Sequence, residues 1–330
     1  MNNLLFPVLF ILSDGKFHSG EMIAKHFNVS RVSIWKAISE AEKLGVEIFS
    51  VRGKGYCLSH SVQFLDEMRI KKSIGEMASW FNIKVFDVID STNNFLMQEA
   101  PKGYPHASCV ATNIQTTGKG RRGRQWQSSL GENLTFSFLW RFTKGAAALS
   151  GLSLAVGVSL IRSLKKLNIN QALLKWPNDI LIKDDGVYKK LAGILIELQG
   201  DMDGQSTAII GIGINLNLSK NQLAKIDQPA IGINQFIEEK INPNEFLGII
   251  IKDLAEVLAK FESNGFNHFQ EEWQSYDALQ DQAISVDQRD GENISGRAKG
   301  ANNSGALEVI TEDDGIKTFS SGEITIRRGE

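Results

Sequence analysis

The sequence predicts an α+β chain in three parts, and three observations predict it. Apolar residues recur at helical spacing up to Gly45, then alternate across two short runs. From Ile83 to about Leu218 strand-like runs dominate without strict β-α alternation, which points to a mixed sheet with helices mainly on one face. From about Gln280 to Arg328 short apolar runs are cut by turns such as "ANNSG" and "EDDG", the pattern of a small barrel or sandwich. The expected boundaries are 1–62, 63–275 and 276–330.

The first part reads as helix, helix, helix, hairpin. Pro7 sits inside the first apolar run, so that helix either begins near Phe6 or is bent. Asp14-Gly15 stops it. Ser19 caps a short helix to about Phe27, and Ser30 caps a longer one ending at Gly45. In the longer helix Ile34, Ile38, Ala41 and Leu44 face the core, leaving Arg31, Ser33, Trp35, Lys36 and Ser39 on other faces. "VEIFSVRGKGYCL" then forms a hairpin with a basic tip at Arg52 and Lys54. Short helix, turn, second helix and hairpin is the winged helix-turn-helix layout.

In the second part the strand-like runs are "IKVFDVID", "CVATNIQ", "LTFSFLWRF", "LLKWPNDILI", "KLAGILIEL" and "TAIIGIGINLNL". One apolar helix is expected from about Leu149 to Leu167 and another from about Pro243 to Asn264. The apolar stretches near Ile209 and Ile249 are too short to span a bilayer, so no membrane association is expected. Cys57 and Cys109 make no disulfide framework and read as reduced thiols of a cytoplasmic protein. The five histidines are not at ligand spacings, which argues against a structural zinc site.

The chain carries 36 Lys+Arg and 38 Asp+Glu, for a net charge of −2. Against that balance, "TTGKGRRGRQW" packs Lys119, Arg121, Arg122 and Arg124 among three glycines, and no acid occurs between Glu99 and Glu132. The stretch fits G-x-G-x-x-G, but a dinucleotide turn needs a helix directly after it, and here another strand follows. Glycines with guanidinium groups suit a mobile loop that closes over a polyanion. Trp126 is placed to stack on a base or wall off a ring. The plainer reading is a solvated basic loop.

Other stretches carry chemistry less sharply. In "KWPND", Pro177 holds Trp176 extended and fixes Asn178 and Asp179 at a turn, able to orient a ligand or a magnesium ion. Lys189 and Lys190 stand at the mouth of an apolar strand, where a lysine either enters a pocket or snorkels to solvent. "GIGIN" ends a buried strand at Asn215, and its glycines permit close approach. "DSTN", Asp90 to Asn93, offers hydroxyls and an amide to a polar ring, or simply caps a helix. No nucleophile constellation is present, so no covalent enzyme intermediate is indicated.

Taken together, "DSTN", "TTGKGRRGRQW", "KWPND", "KLAGILIEL" and "GIGIN" resemble, in order and spacing, the bifunctional biotin protein ligase and biotin operon repressor family of bacteria. The N-terminal stretch resembles that family's winged helix, and "GALEVITEDDGIKTFSSGEITIR" its SH3-like C-terminal barrel. The resemblance implies biotin-[acetyl-CoA-carboxylase] ligase activity. Biotin and Mg-ATP would form biotinoyl-5′-AMP, which a lysine of biotin carboxyl carrier protein attacks. It also implies repression of biotin synthesis genes at operator DNA by an adenylate-bound homodimer.

Carried over by position, Ser91, Thr92, Asn93 and Gln115 would hold the biotin ring system. Lys119, Gly120 and Arg121 would cover the adenylate, and Lys190 would meet the carboxylate, with Arg121 and Lys190 the catalytic pair. Arg122, Arg124, Trp126, Asn178, Asp179 and Asn215 would lie by the nucleotide. Arg31, Ser33, Lys36, Arg52 and Lys54 would face DNA. No metal-ligand set is assigned. The loop reads G-K-G-R-R-G-R where the family usually has G-R-G-R-R-G-R, so Lys119 keeps the charge without the fork. A few extra residues before Lys190 leave Lys189 as an alternative holder of its role. A winged-helix sensor that binds a small acid without chemistry, and a ligase for lipoate or another acyl group, are the competing readings.

Overall fold

The computed structural model describes residues 2–200, 204–288, 293–313, 315–320 and 324–328. The N-terminal unit comprises α1 (Leu5–Leu12), α2 (Gly20–His26), α3 (Arg31–Lys43), β1 (Ile48–Val51) and β2 (Gly55–Leu58). Pro7 falls in the first turn of α1, where its missing N–H has no intrahelical partner to lose. Ser19 Oγ accepts from Met22 N and Ser30 Oγ from Ser33 N, so both expected caps are formed. Ile34, Ala37, Ile38 and Ala41 make the buried seam of α3. Leu44, expected in that seam, is only half-buried because it is the cap residue that ends the helix.

The central unit follows as α4 (Glu67–Ile74), β3 (Asn82–Ile89), α5 (Thr92–Glu99), β4 (Ser108–Gln115), β5 (Asn133–Phe142), α6 (Leu152–Lys165), β6 (Ala172–Lys175), β7 (Asp179–Asp184), β8 (Val187–Gly200), β9 (Ser206–Asn215) and α7 (Pro243–Asn264). The strands form one seven-stranded mixed sheet in the order β3-β4-β5-β9-β8-β7-β6. Only β3 and β4 run parallel, and the remaining neighbours are antiparallel.

Alternation along the strands assigns the two faces. Cys109, Ala111, Phe136, Phe138, Ala208 and Ile210 join the large core with α4, α6 and α7. The intervening Val110, Leu139 and Ile209 pack with Leu96 and Ala100 beneath α5. Three helices thus cover one face. The other carries α5 at one end and stays open at the other, which leaves room for a site.

The stretch Ala146–Lys165 is long and apolar enough to cross a membrane by length and composition, unlike the shorter runs near Ile209 and Ile249 on which the sequence expectation rests. It consists of a 3-10 turn and α6, and the α6 side chains are buried almost throughout in the core. Both cysteines are free and buried, and burial raises the pKa of the Cys109 thiol.

The C-terminal strands are β10 (Ala283–Gln288), β11 (Asn293–Ala301), β12 (Leu307–Thr311), β13 (Ile316–Phe319) and β14 (Ile324–Arg328). They form an antiparallel sheet in the order β13-β12-β11-β10-β14. Among the described residues no ladder joins β13 to β14, so the C-terminal unit stands as an antiparallel sheet and no closed barrel is found. Leu279, Ile284, Val286, Leu307 and Val309 belong to the same core as the central sheet.

At that junction Asp277 Oδ2 is enclosed without a hydrogen-bond partner among the described residues, while Oδ1 accepts from Leu279 N. Burial pushes the carboxyl from the ordinary 3.8 up to about 6, and Asp281 adds to the rise. A raised folded-state pKa stabilises the fold below the unfolded value and loses that contribution as pH climbs through the folded value. Asp277→Asn is therefore expected to stabilise by about 2 kcal/mol at pH 7.5 relative to the parent. The gain should vanish below pH 4, as read by urea denaturation at both pH values.

Candidate functional site

The open end of the sheet face holds a cavity of about 380 Å3. Its floor is a strip without side chains. Gly193 of β8 and Gly213 of β9 are cross-strand partners. A Cβ at Gly213 would lie 2.3 Å from Trp126 Cε2, and one at Gly193 would lie 3.1 Å from Lys190 Nζ and 3.4 Å from Trp126 Cζ3. The paired glycines therefore admit the indole and the lysine stem. Nearby, a Cβ at Gly211 would lie 2.3 Å from Asn93 Oδ1, so Asn93 also depends on a missing side chain.

One wall is the start of α5, capped by Ser91, whose Oγ accepts from Asn94 N at 3.4 Å. Gln115 Oε1 accepts from Thr92 N at 2.9 Å and from Thr92 Oγ1 at 3.2 Å. Ser137 Oγ donates to Asn93 Oδ1 at 2.5 Å and also meets Thr92 Oγ1 at 2.6 Å. Asn93 Nδ2 donates to Glu197 at 2.8 Å. The Asn93 amide is thus engaged on both ends and braces the wall.

The opposite wall carries charge. Lys190 Nζ is 2.8 Å from Asp179 Oδ1 and 5.8 Å from the centre of the Trp126 ring. The Asp179 contact is an ion pair by distance without hydrogen-bond alignment, and Oδ1 has no hydrogen-bond donor among the described residues. Lys190 is fixed through its backbone: N donates to Pro229 O, and O accepts from Ile231 N and from Asn215 Nδ2. Asn215 in turn accepts from Asn133 Nδ2. Lys189, on the other side of the strand, pairs with Asp184 at 2.5 Å and does not line the cavity. Strand alternation separates the two lysines and settles which one enters the cleft.

Asn178 Nδ2 donates to Ile194 O at 2.8 Å, tying the β6–β7 turn to β8. Its Oδ1 accepts from Arg121 Nη1 at 3.3 Å. Burial lowers the Arg121 pKa, Arg122 lowers it further and Asp179 opposes both. The guanidinium nevertheless stays charged at neutral pH.

The loop itself closes by Gly120 N donating to Arg124 O at 2.7 Å, and Arg122 takes a left-handed φ of 57° at its tip. Gly118–Lys119 pairs with Gln125–Trp126 as a two-residue ladder. Lys119, Arg122 and Arg124 are exposed on the cavity rim. Beyond the ladder, Ser129 Oγ donates to Gly45 O at 2.9 Å and Leu130 enters the core of the N-terminal unit.

Every residue that sequence reasoning assigned to the ring or the nucleotide lines this one cavity. The groups assigned to DNA lie in the N-terminal unit, where Arg31, Lys36, Arg52 and Lys54 are exposed. Ser33 is half-buried, with its hydroxyl 3.0 Å from the capping Ser30 Oγ, so it is partly drawn into the helix cap. Sequence reasoning missed Thr135 and Ser137. The signal was available: in "NLTFSFLWRF" the polar residues alternate on one face of an otherwise apolar strand. Thr135 Oγ1 and Trp126 Nε1 are buried without partners among the described residues, as expected of groups that face a ligand. No cluster of three or more His, Cys, Asp or Glu suited to a metal ion occurs among the described residues. Asp179 and Asp227 are the carboxylates on the lining, so a cation there would take most of its ligands from bound phosphates.

Fold and cleft define a class: a cation-walled small-molecule site on a mixed sheet, joined to a winged helix-turn-helix. The family model for the biotin/lipoate A/B protein ligase family matches residues 85–215, an HTH domain matches 5–57, and the biotin protein ligase C-terminal domain matches 281–327. The bifunctional ligase/repressor BirA of Salmonella typhimurium is 36% identical over 97% of this chain and 96% of its own. That of Escherichia coli is 34% identical over 100% and 99%. The biotin protein ligase from Aquifex aeolicus in complex with biotin and ATP superposes with a TM-score of 0.63 at 28% identity, covering 75% of this chain and 99% of that one. The chain belongs to the bifunctional biotin protein ligase/repressor family.

Gly213→Ala is expected to push the Trp126 indole off the strip while leaving the melting temperature within a few degrees. Acrylamide quenching of tryptophan emission should rise in Gly213→Ala. A background of Trp126→Phe, in which the same glycine change has no effect on quenching, identifies the responding ring.

Proposed function

We propose that this chain is an ATP-dependent biotin-[acetyl-CoA-carboxylase] ligase and a biotin-responsive repressor of biotin synthesis genes. A biotin carboxylate oxygen attacks the α-phosphorus of ATP, the bond to the β-phosphate breaks, and pyrophosphate leaves. The amine of one carrier-protein lysine then attacks the acyl carbon, loses a proton and expels AMP. Carboxylate and nucleotide are both anions, so their approach needs fixed positive charge, which also stabilises charge developing on the phosphoryl oxygens. The observation that carries the reading is the meeting of Lys190 and Arg121 at one cleft, beside the cleared strip under Trp126.

In this reading Ser91, Thr92 and Gln115 hold the ring system, with Asn93 bracing them through Ser137 and Glu197. Lys190 receives the carboxylate, and Arg121 with the backbone at Lys119 and Gly120 covers the adenylate. Arg122 and Arg124 close on phosphates, and Trp126 flanks the nucleotide. Asn178 and Asn215 act as braces, and Asp179 steadies Lys190 and would be the carboxylate to hold a magnesium ion, which would supply further positive charge to the reacting nucleotide. Loop closure shields the mixed anhydride from water.

The carrier is the biotin carboxyl carrier protein of acetyl-CoA carboxylase. The adenylate orders residues 116–131, and two chains then pair to present two winged helices at operator half-sites. The DNA-facing groups are Arg31, Lys36, Arg52 and Lys54, with Ser33 at the helix cap. A cytoplasmic location without membrane attachment, and the division at 62/63 and 275/276, complete the proposal.

Mixed with biotin, ATP, magnesium and a carrier domain, the protein should release pyrophosphate and add the biotinoyl mass to one lysine. Lipoate and octanoate should give neither product. Lys190→Gln should slow adenylate formation by about 10²–10³-fold. Arg121→Gly should leak adenylate and label bystander lysines; unchanged target selectivity there would refute the shielding role. Operator affinity should rise when biotin and ATP are both supplied, and an affinity indifferent to them would end the corepressor account.

A further inference from the structure

Two large apolar side chains stand in solvent on the front of α3. Val32 is 60% exposed and Trp35 is 57% exposed. They are three positions apart, so they are neighbours on one helical surface. Ile34, Ala37, Ile38 and Ala41 already fill the seam behind, so burial within this unit does not explain them. Arg31 and Lys36 flank the pair and are also exposed. The acids of the helix, Glu40 and Glu42, lie toward its C-terminal end, and Glu40 is engaged with the Asn2 backbone. The exposed indole and isopropyl groups therefore occupy the cationic, N-terminal half of the second helix of a helix-turn-helix, the half that reaches base edges in such motifs.

Arginine and lysine contacts to phosphate position a protein on DNA and carry no sequence information. Ser33, the hydroxyl on this stretch best suited to read a base, is half-buried and shares its oxygen with the Ser30 cap. What remains at the front is largely apolar. The major groove displays one apolar group on its floor, the 5-methyl of thymine.

We propose that Val32 and Trp35 read thymine 5-methyl groups in the major groove and are specificity determinants of operator recognition. This rests on the DNA-binding half of the proposed function. Flanking cations commit the face to a duplex: they meet the backbone while the two apolar side chains reach the floor between them.

Uracil differs from thymine only by lacking that methyl, so it is the direct probe. Preferred duplexes are selected from a random pool with the full chain, biotin and ATP, and each thymine in the selected half-site is then replaced by uracil. The parent protein should lose about fourfold in affinity at one or two of these positions, the worth of one buried methyl. Trp35→Ala and Val32→Ala should bind the thymine site more weakly and show no further loss on uracil at the position each one reads. The slope of affinity against salt should match the parent, because the phosphate contacts persist. Both side chains are exposed, so the variants should keep the parent circular dichroism and melting temperature.

Tight binding of the selected duplex with indifference to uracil at every position would overturn this inference and leave the DNA-binding reading intact. Unchanged duplex affinity in both alanine variants would overturn it as well and reassign the face to a protein partner. Failure to select any duplex would overturn the inference together with the repressor reading.

Discussion

The site depends on an absence of side chains. Gly193 and Gly213 face each other across β8 and β9, and the Trp126 indole and the Lys190 stem lie in the space that their Cβ atoms would fill. Gly211, two residues before Gly213, makes the equivalent room for Asn93. Because strand alternation puts these glycines on the face away from α4, α6 and α7, the core is packed on one side and a cleft is cleared on the other. Most of the polar geometry follows from that clearing. Lys190 reaches Asp179, Asn215 holds the Lys190 carbonyl, and Asn178 links the β6–β7 turn to β8 while receiving Arg121.

The same arrangement connects the cleft to the N-terminal unit. The cationic loop begins at the cavity rim, and its far end inserts Leu130 into the apolar core of the winged helix, with Ser129 bonded to the Gly45 carbonyl. A ligand that draws Arg121 and Trp126 together acts on one end of a short segment whose other end is packed against the DNA-facing unit. Linkage then requires the coupling to be reciprocal: whatever biases the N-terminal unit also biases ligand affinity.

Much of this was legible in the sequence, for identifiable reasons. Ser19 and Ser30 announce their helices because a hydroxyl at that position has a local task. The α7 limits, Pro243 and Asn264, are read from residues that begin or end helices well. The cation loop stands out because the strands that flank it in sequence, Ser108–Gln115 and Asn133–Phe142, hold no glycine and one charge, Arg141. What stayed hidden depended on register or on tertiary contact. Lys189 and Lys190 cannot be ranked by sequence, since only strand pairing tells which one faces the cleft. Asn93 and Asn215 look like ligand groups, yet their amides are engaged in bracing. Short apolar runs at the C-terminus fit a barrel or a sandwich alike, because strand order is decided by pairing between strands far apart in the chain, which local pattern does not encode. Trp35, which helical spacing leaves off the core face of its helix, is exposed.

The central claim is that the cleared strip and the cations beside it are where an acid meets a nucleotide. A crystal structure of this protein with biotin and a non-hydrolysable ATP analogue tests it most directly. The account predicts the biotin carboxylate within hydrogen-bond distance of Lys190 Nζ, about 3 Å, and the α-phosphate beside the Trp126 indole that the strip admits, beneath residues 118–126. Both ligands bound clear of that strip, with Lys190 and Arg121 contacting neither, would contradict it.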